Sequence, residues 1–241
     1  MNWDPPQRPS ETAETRLIVS ILNGTFPIGT SLPAERKLAK LIGVTRTTLR
    51  EALQRLKKDG WVQINQGQLT RVRDYLKEGN LGVLNAIAQN KDSITLEFVI
   101  NLLEVRCVLA PSYVGLAFIH SKRDMHDLLS NLIKTPSNAK SLAEADWYFH
   151  TQCTILSKNP VFTLILNGLS DLYKKLSLIY FKNESSRNHS LLFYKRLLQA
   201  IEQDDNKKVE DITFTVMQES IQIWKRAYRN SNSYEETGGV S

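Results

Sequence analysis

Between Pro33 and Arg73 four local signals follow one another in an order that few folds accommodate: a helix, a tight glycine turn, a capped helix and a glycine-tipped hairpin. Pro33 suits the start of a helix, and Leu38, Leu41 and Ile42 repeat at helical spacing until Gly43 supplies the stop. Only Gly43 and Val44 separate this segment from the next helix, where Thr45 is placed to cap the amide of Thr48. Leu49, Leu53 and Leu56 carry the helical repeat on to Gly60. The segment WVQINQGQLTRVR then alternates outward and inward residues on either side of Gln66-Gly67, as a hairpin does. With a preceding helix over residues 12–25, built on Leu17, Ile18, Ile21 and Leu22, the order predicts a winged helix-turn-helix.

The second helix of that motif sorts its residues by chemistry. Leu49, Ala52, Leu53 and Leu56 share an inner face, while Arg46, Thr47, Arg50 and Gln54 share the outer one. Arginine offers paired donors to guanine O6 and N7, so Arg46 and Arg50, one turn apart, are the base-reading candidates. Arg36 and Lys40, with Thr47 and Thr48, are placed to hold phosphates and set the register. Charge agrees with this placement. Residues 1–75 hold twelve Lys/Arg against seven Asp/Glu, a balance of +5, which leaves +1 of the chain's +6 for everything that follows. A basic first third points to a polyanionic partner.

Beyond residue 79 the chain changes character, with few Gly or Pro and long segments of 3.6-residue period. Helices are predicted over residues 80–89, 94–119, 122–133, 141–157, 161–181, 189–202 and 207–229. Ser141-x-x-Glu144 reads as a capping box, Asn159-Pro160 as a break, and Asn188-His189 and Asp205-Asn206 as turns. The predicted fold class is mainly α: a winged helix-turn-helix with a small β-hairpin wing over 1–75, an all-helical bundle over 76–230 and a flexible polar tail over 231–241. Cys107 and Cys153 lie far apart without CxxC spacing, as buried thiols of a reducing compartment do. The start MNWDPPQRPS lacks the basic and apolar runs of a signal peptide, and no stretch of 18 uninterrupted apolar residues follows, so a cytoplasmic protein with no membrane partner is expected.

The stretch from Leu32 to Val72 resembles the winged-helix signature of GntR-type regulators. More narrowly it resembles the FadR-like regulators of fatty acid metabolism, through PAER (33–36) and LIGVTRTTLRE (41–51). The similarity continues in NLLEVR (101–106), ILNGLSDLY (165–173), YFKN (180–183) and ESIQIW (219–224). The resemblance implies DNA contacts from Arg36, Thr45, Arg46, Thr47, Thr48 and Arg50, and from a wing tip of Gln66, Gly67 and Gln68. The tip departs from the pattern, because such wings usually present His-Gly-Lys and so carry a cation that Gln68 lacks.

The same resemblance implies a long-chain acyl-CoA effector held by Arg106, Tyr180, Tyr194, Glu219, Ser220, Trp224 and Arg229, the last standing where a lysine is usual. Met217 replaces a frequent glycine there. The plainer alternative makes Tyr180, Tyr194 and Trp224 core aromatics and Arg106 the neutraliser of Glu104 or Asp146. A third possibility is a metal-bound organic acid or another small metabolite. Asp146 and His150 share a helical face at Asp-x-x-x-His spacing, as in the metal site of related effector domains, but the later positions hold Tyr194 and about Val216 where that site has histidines. Two ligands make a poor site, so no metal and no cofactor is expected. With no Ser-His-Asp order, Gly-rich phosphate loop or supported carboxylate pair, the chain is not expected to be an enzyme. A single DNA head buries little surface, which implies a homodimer on palindromic double-stranded DNA.

Overall fold

The computed structural model describes residues 8–90 and 94–237, with residues 228–237 described by their backbone alone. The chain divides into two compact units, one ending at Ser93 and the other beginning at Ile94.

In the first unit α1 (Pro9–Leu22), α2 (Glu35–Ile42) and α3 (Arg46–Asp59) pack around Leu17, Leu38, Leu49, Leu53 and Leu56, all almost wholly shielded from solvent. Gly43 ends α2 with φ 75°, a left-handed conformation that favours glycine. Thr45 caps α3 by accepting from the Thr48 amide at 3.1 Å, as the sequence predicts. The wing is a two-stranded antiparallel sheet of β1 (Val62–Gln63) and β2 (Arg71–Val72), with Val62 opposite Val72. Ser31 bridges to Arg71, and Leu32 and Val72 bond through Thr70 and Thr30, so the segment after α1 braces the wing from its other edge.

Two short helices, α4 (Tyr75–Glu78) and α5 (Leu81–Gln89), follow the wing and belong to the first unit, past the 75/76 boundary read from sequence. Trp61 packs against Tyr75 in a tilted arrangement with ring centroids 4.6 Å apart, and Asn80 donates to the Lys58 carbonyl at 3.1 Å. Gly60, at φ 90°, lies so close to Glu78 that an added Cβ would meet its carbonyl oxygen at 2.6 Å. A local reading of helical period cannot register such a contact.

The second unit is a helical bundle: α6 (Leu96–Leu132), α7 (Ala139–Leu156), α8 (Pro160–Gly168), α9 (Ser170–Tyr180), α10 (Glu184–Glu202) and α11 (Asn206–Thr237). The long α6 turns at Ser121 (φ −150°, ψ 45°), which accounts for the break expected between residues 119 and 122. By length and mean hydropathy α6 is apolar enough to cross a membrane, although polar and charged residues interrupt its apolar run as the sequence reading has it. It instead serves as the core helix, packed on α7, α10 and α11, with Ala110, Val114, Ala117 and Met125 fully enclosed.

Three helix boundaries differ from the sequence reading. Asn138, not Ser141, caps α7, accepting from the Ser141 amide at 2.9 Å. The segment read as one helix over 161–181 divides at Leu169, between Gly168 and Ser170. Asn183 caps α10 through the Ser185 amide at 3.0 Å, so Asn188 and His189 lie inside a helix rather than in a turn. The tail predicted to be flexible from 231 remains helical to Thr237, and residues 238–241 lie outside the described residues.

Candidate functional site

The candidate DNA-reading face combines α2, α3 and the wing tip. Arg36, Thr45, Arg46, Thr47 and Arg50 are exposed and Thr48 is partly so, while the leucines opposite them are buried. Arg16 donates to the Ile42 carbonyl, closing the end of α2 and fixing the turn that sets the two helices in register. Thr45 also shares a hydroxyl hydrogen bond with Thr48 at 2.9 Å, so the start of α3 is held by two side chains. Glu35 lies between the two base-reading candidates, 2.8 Å from Arg50 Nε and 3.8 Å from Arg46 Nη2.

At the wing tip Gly67 has φ 75° and Gln66, Gly67 and Gln68 are exposed. Gln68 closes the turn twice: its amide donates to the Asn65 carbonyl at 3.3 Å, and its side-chain oxygen accepts from Asn65 Nδ2 at 3.1 Å. A lysine at 68 forfeits the side-chain bond but supplies the missing cation. Gln68→Lys is therefore expected to tighten DNA binding and to steepen its salt dependence by about 0.9 of a counterion. Affinity measured across a salt series checks this, and an unchanged slope removes the tip from the interface.

In the second unit a polar cluster lies inside the bundle, drawn from α6, α7, α9 and α10. Asp146, 4% exposed, forms an ion pair with Arg106 Nη2 at 3.1 Å and accepts from the Tyr194 hydroxyl at 3.3 Å. It also accepts from the Tyr173 hydroxyl. His150 is fully buried, with Arg106 donating to Nε2 and Tyr113 Oη 2.6 Å from Nδ1. Since a guanidinium only donates, Nε2 must accept, which places the imidazole proton on Nδ1, directed at the Tyr113 oxygen. Arg106 also lies over the Tyr173 ring at 5.1 Å.

Electrostatics follow from this packing. Burial opposes ionisation of Asp146, but the Arg106 cation, His150 and the Tyr173 and Tyr194 hydroxyls outweigh it and hold the carboxyl below its ordinary range. Burial likewise opposes the charge on Arg106 and is outweighed by Tyr173 and Asp146. Burial, reinforced by Arg106, pushes His150 down to about 3, so the ring is neutral at physiological pH. Unfolding restores its ordinary value of about 6.5, so between these values the unfolded chain binds the extra proton and stability falls as pH falls. The loss reaches about 1.4 kcal/mol per pH unit inside that window for this one group. Unfolding free energies from pH 7 to 5 are expected to show this slope, and His150→Gln to flatten it by one proton.

The expected effector residues occupy this cluster and one adjoining edge. Tyr194 and Arg106 belong to the cluster itself. Tyr180 stacks on Trp224 with centroids 5.8 Å apart and planes 24° apart, both rings half-buried. Next to them His189 bridges Glu219 at 2.9 Å and Tyr180 Oη at 3.5 Å. Ser220 is buried and donates within its own helix to the Met217 carbonyl at 2.6 Å. Arg229 lies on α11, but its side chain is outside the described residues. Sequence reasoning missed Tyr113 and Tyr173, which contribute to the cluster from α6 and α9.

Sequence comparison bears on both units. The profile of the gntR family of bacterial regulatory proteins matches residues 9–72, and that of the FadR C-terminal domain matches residues 73–234. This chain belongs to the FadR group of gntR-family regulators. It is accordingly a DNA-binding transcription regulator and not an enzyme. The fatty acid metabolism regulator protein of Proteus mirabilis (strain HI4320) is 37% identical over 218 residues, covering 90% of this chain and 91% of that protein. Its namesake in Escherichia coli (strain K12 / DH10B) is 36% identical over 224 residues, covering 93% and 94%. Among solved structures, Lar, which controls expression of the Listeria monocytogenes agr system, shares the fold at a TM-score of 0.62 and 14% identity, covering 92% of this chain and 99% of that one.

Proposed function

We propose that the chain is a cytoplasmic regulator of fatty acid metabolism that binds a palindromic operator as a homodimer and releases it on binding long-chain acyl-CoA. The observation that carries this reading is the near full-length similarity to fatty acid metabolism regulators. The chemistry of the second unit supports it. An acyl chain gains about 0.8 kcal/mol per methylene removed from water, while the stacked Tyr180 and Trp224 offer a flat apolar wall and Arg106 and Arg229 offer cations for the polar end. Release follows if the effector binds better to the conformation that holds DNA poorly, since a ligand shifts an equilibrium only by its differential affinity.

No resident metal or cofactor forms part of this proposal. Arg106, Tyr173 and Tyr194 donate to the oxygens of Asp146, and Arg106 and Tyr113 engage both nitrogens of His150, so a metal would have to displace an existing hydrogen bond to bind the imidazole. A thermal-shift comparison tests the effector class: long-chain acyl-CoA is expected to stabilise the protein, and CoA, free fatty acid or organic acids with divalent metal are not. Stabilisation by an organic acid with metal, and none by acyl-CoA, refutes the proposal. Trp224→Ala and Ser220→Asn are the informative variants, because both alter the adjoining edge without stranding a buried charge. Arg106→Ala serves less well, since it removes the partner of Asp146.

A further inference from the structure

We propose that Glu35 is a positioning residue for DNA recognition, an acid on the reading face that sets which edge of Arg50 meets a base and restrains Arg46 beside it. An acidic side chain here is costly on simple charge grounds, because it faces the phosphates the surface must attract. Its place in the fold accounts for its presence. Glu35 is the first residue of α2, where the helix dipole favours an anion, and its carboxylate reaches across to α3.

One carboxylate oxygen, Oε2, serves both arginines: it accepts from Arg50 Nε at 2.8 Å and lies 3.8 Å from Arg46 Nη2. The edge used matters. A guanidinium presents two bidentate edges, the side-on Nε pair and the end-on Nη1/Nη2 pair. With Nε engaged by Glu35, Arg50 has its end-on pair free to match guanine O6 and N7. The side chains of Arg50 and Arg46 are 61% and 59% exposed while that of Glu35 is 35% exposed, so the acid lies lower and the arginines project past it. A flexible arginine loses rotamer freedom when it docks, and one restrained beforehand loses less. The restraint acts at the site meant for one base and not along the phosphate backbone, so its effect falls on discrimination rather than on general affinity.

This inference rests on the base-reading role proposed for Arg46 and Arg50, and the experiment separates the two. Specific and random duplexes are titrated with the full chain, its Arg50→Ala variant, Glu35→Gln, Glu35→Ala and the Glu35→Ala/Arg50→Ala double variant. Arg50→Ala alone decides whether Arg50 reads bases, by whether the ratio of specific to random affinity falls. Given that fall, Glu35→Ala is expected to cut the same ratio roughly tenfold, within the range of one bidentate base contact, while random-sequence binding stays level or tightens. Glu35→Gln keeps an acceptor oxygen without the charge and should recover most of the ratio. In the double variant the loss should not exceed that of Arg50→Ala by itself. Equal tightening on both duplexes reduces Glu35 to a repulsive charge, and equal weakening on both reduces it to a structural part of α2. Either result overturns the proposal.

Discussion

Asp146→Ala is expected to destabilise the protein by about 3–5 kcal/mol, because it leaves the Arg106 cation inside the bundle without its counter-charge. The loss goes beyond one ion pair. The Tyr173 and Tyr194 hydroxyls lose their acceptor in the same step, and each stranded donor adds about 1–3 kcal/mol before neighbours or water relax around it. Relaxation keeps the total from being a sum. Urea unfolding of the parent and the variant measures the difference, and Asp146→Asn, which keeps an acceptor oxygen but no charge, should lose less. A cost under about 1 kcal/mol for Asp146→Ala would mean that water reaches Arg106 and that the cluster is not a sealed element of the bundle.

The second large effect lies on the DNA face. Arg46→Ala and Arg50→Ala are each expected to cost about 1–3 kcal/mol on the best operator and to relax the base preference, as the loss of a bidentate guanine contact does. Arg36→Ala should behave differently. Arg36 is exposed on α2 and assigned to phosphate, so its removal weakens all sequences alike and lowers the salt slope by about one contact. Competition binding against a panel of single-base operator variants distinguishes the two patterns. Equal losses on operator and random DNA for Arg46→Ala would transfer that residue to the phosphate-binding set.

These expectations differ in how much of them could be read from the sequence. The helix-turn-helix that carries the candidate DNA face was legible because its signals are local: Gly43, Thr45 and Gly60 mark helix ends by conformational need, and the leucine repeat fixes which side of α3 faces inward. The brace behind the wing was not, since Thr30 to Leu32 is too short to show a strand period and bonds to residues some forty positions away. In the second unit the Asp146/His150 spacing marked one helix of the polar cluster. Its other members come from three distant segments, α6 with Arg106 and Tyr113, α9 with Tyr173 and α10 with Tyr194, and a buried phenol carries no local mark to distinguish it from a core aromatic. The two readings of Arg106 converge in part: it does neutralise Asp146, and it does so beside the residues expected to meet the effector. Asn138 and Asn183 were passed over as caps because Ser141 and Asn188 offered plausible signals a few residues away.

The central claim is that one small molecule controls the grip on DNA, and a single titration tests it most directly. A preformed complex of the full chain with its operator, followed by fluorescence anisotropy of the labelled DNA, is titrated with long-chain acyl-CoA, with CoA and with free fatty acid. Acyl-CoA at micromolar concentration is expected to release the DNA while neither half does so alone, and Ser220→Asn is expected to bind the operator normally yet to require more acyl-CoA for release. Anisotropy that stays constant throughout the acyl-CoA titration, on a complex shown to be specific, would contradict the account.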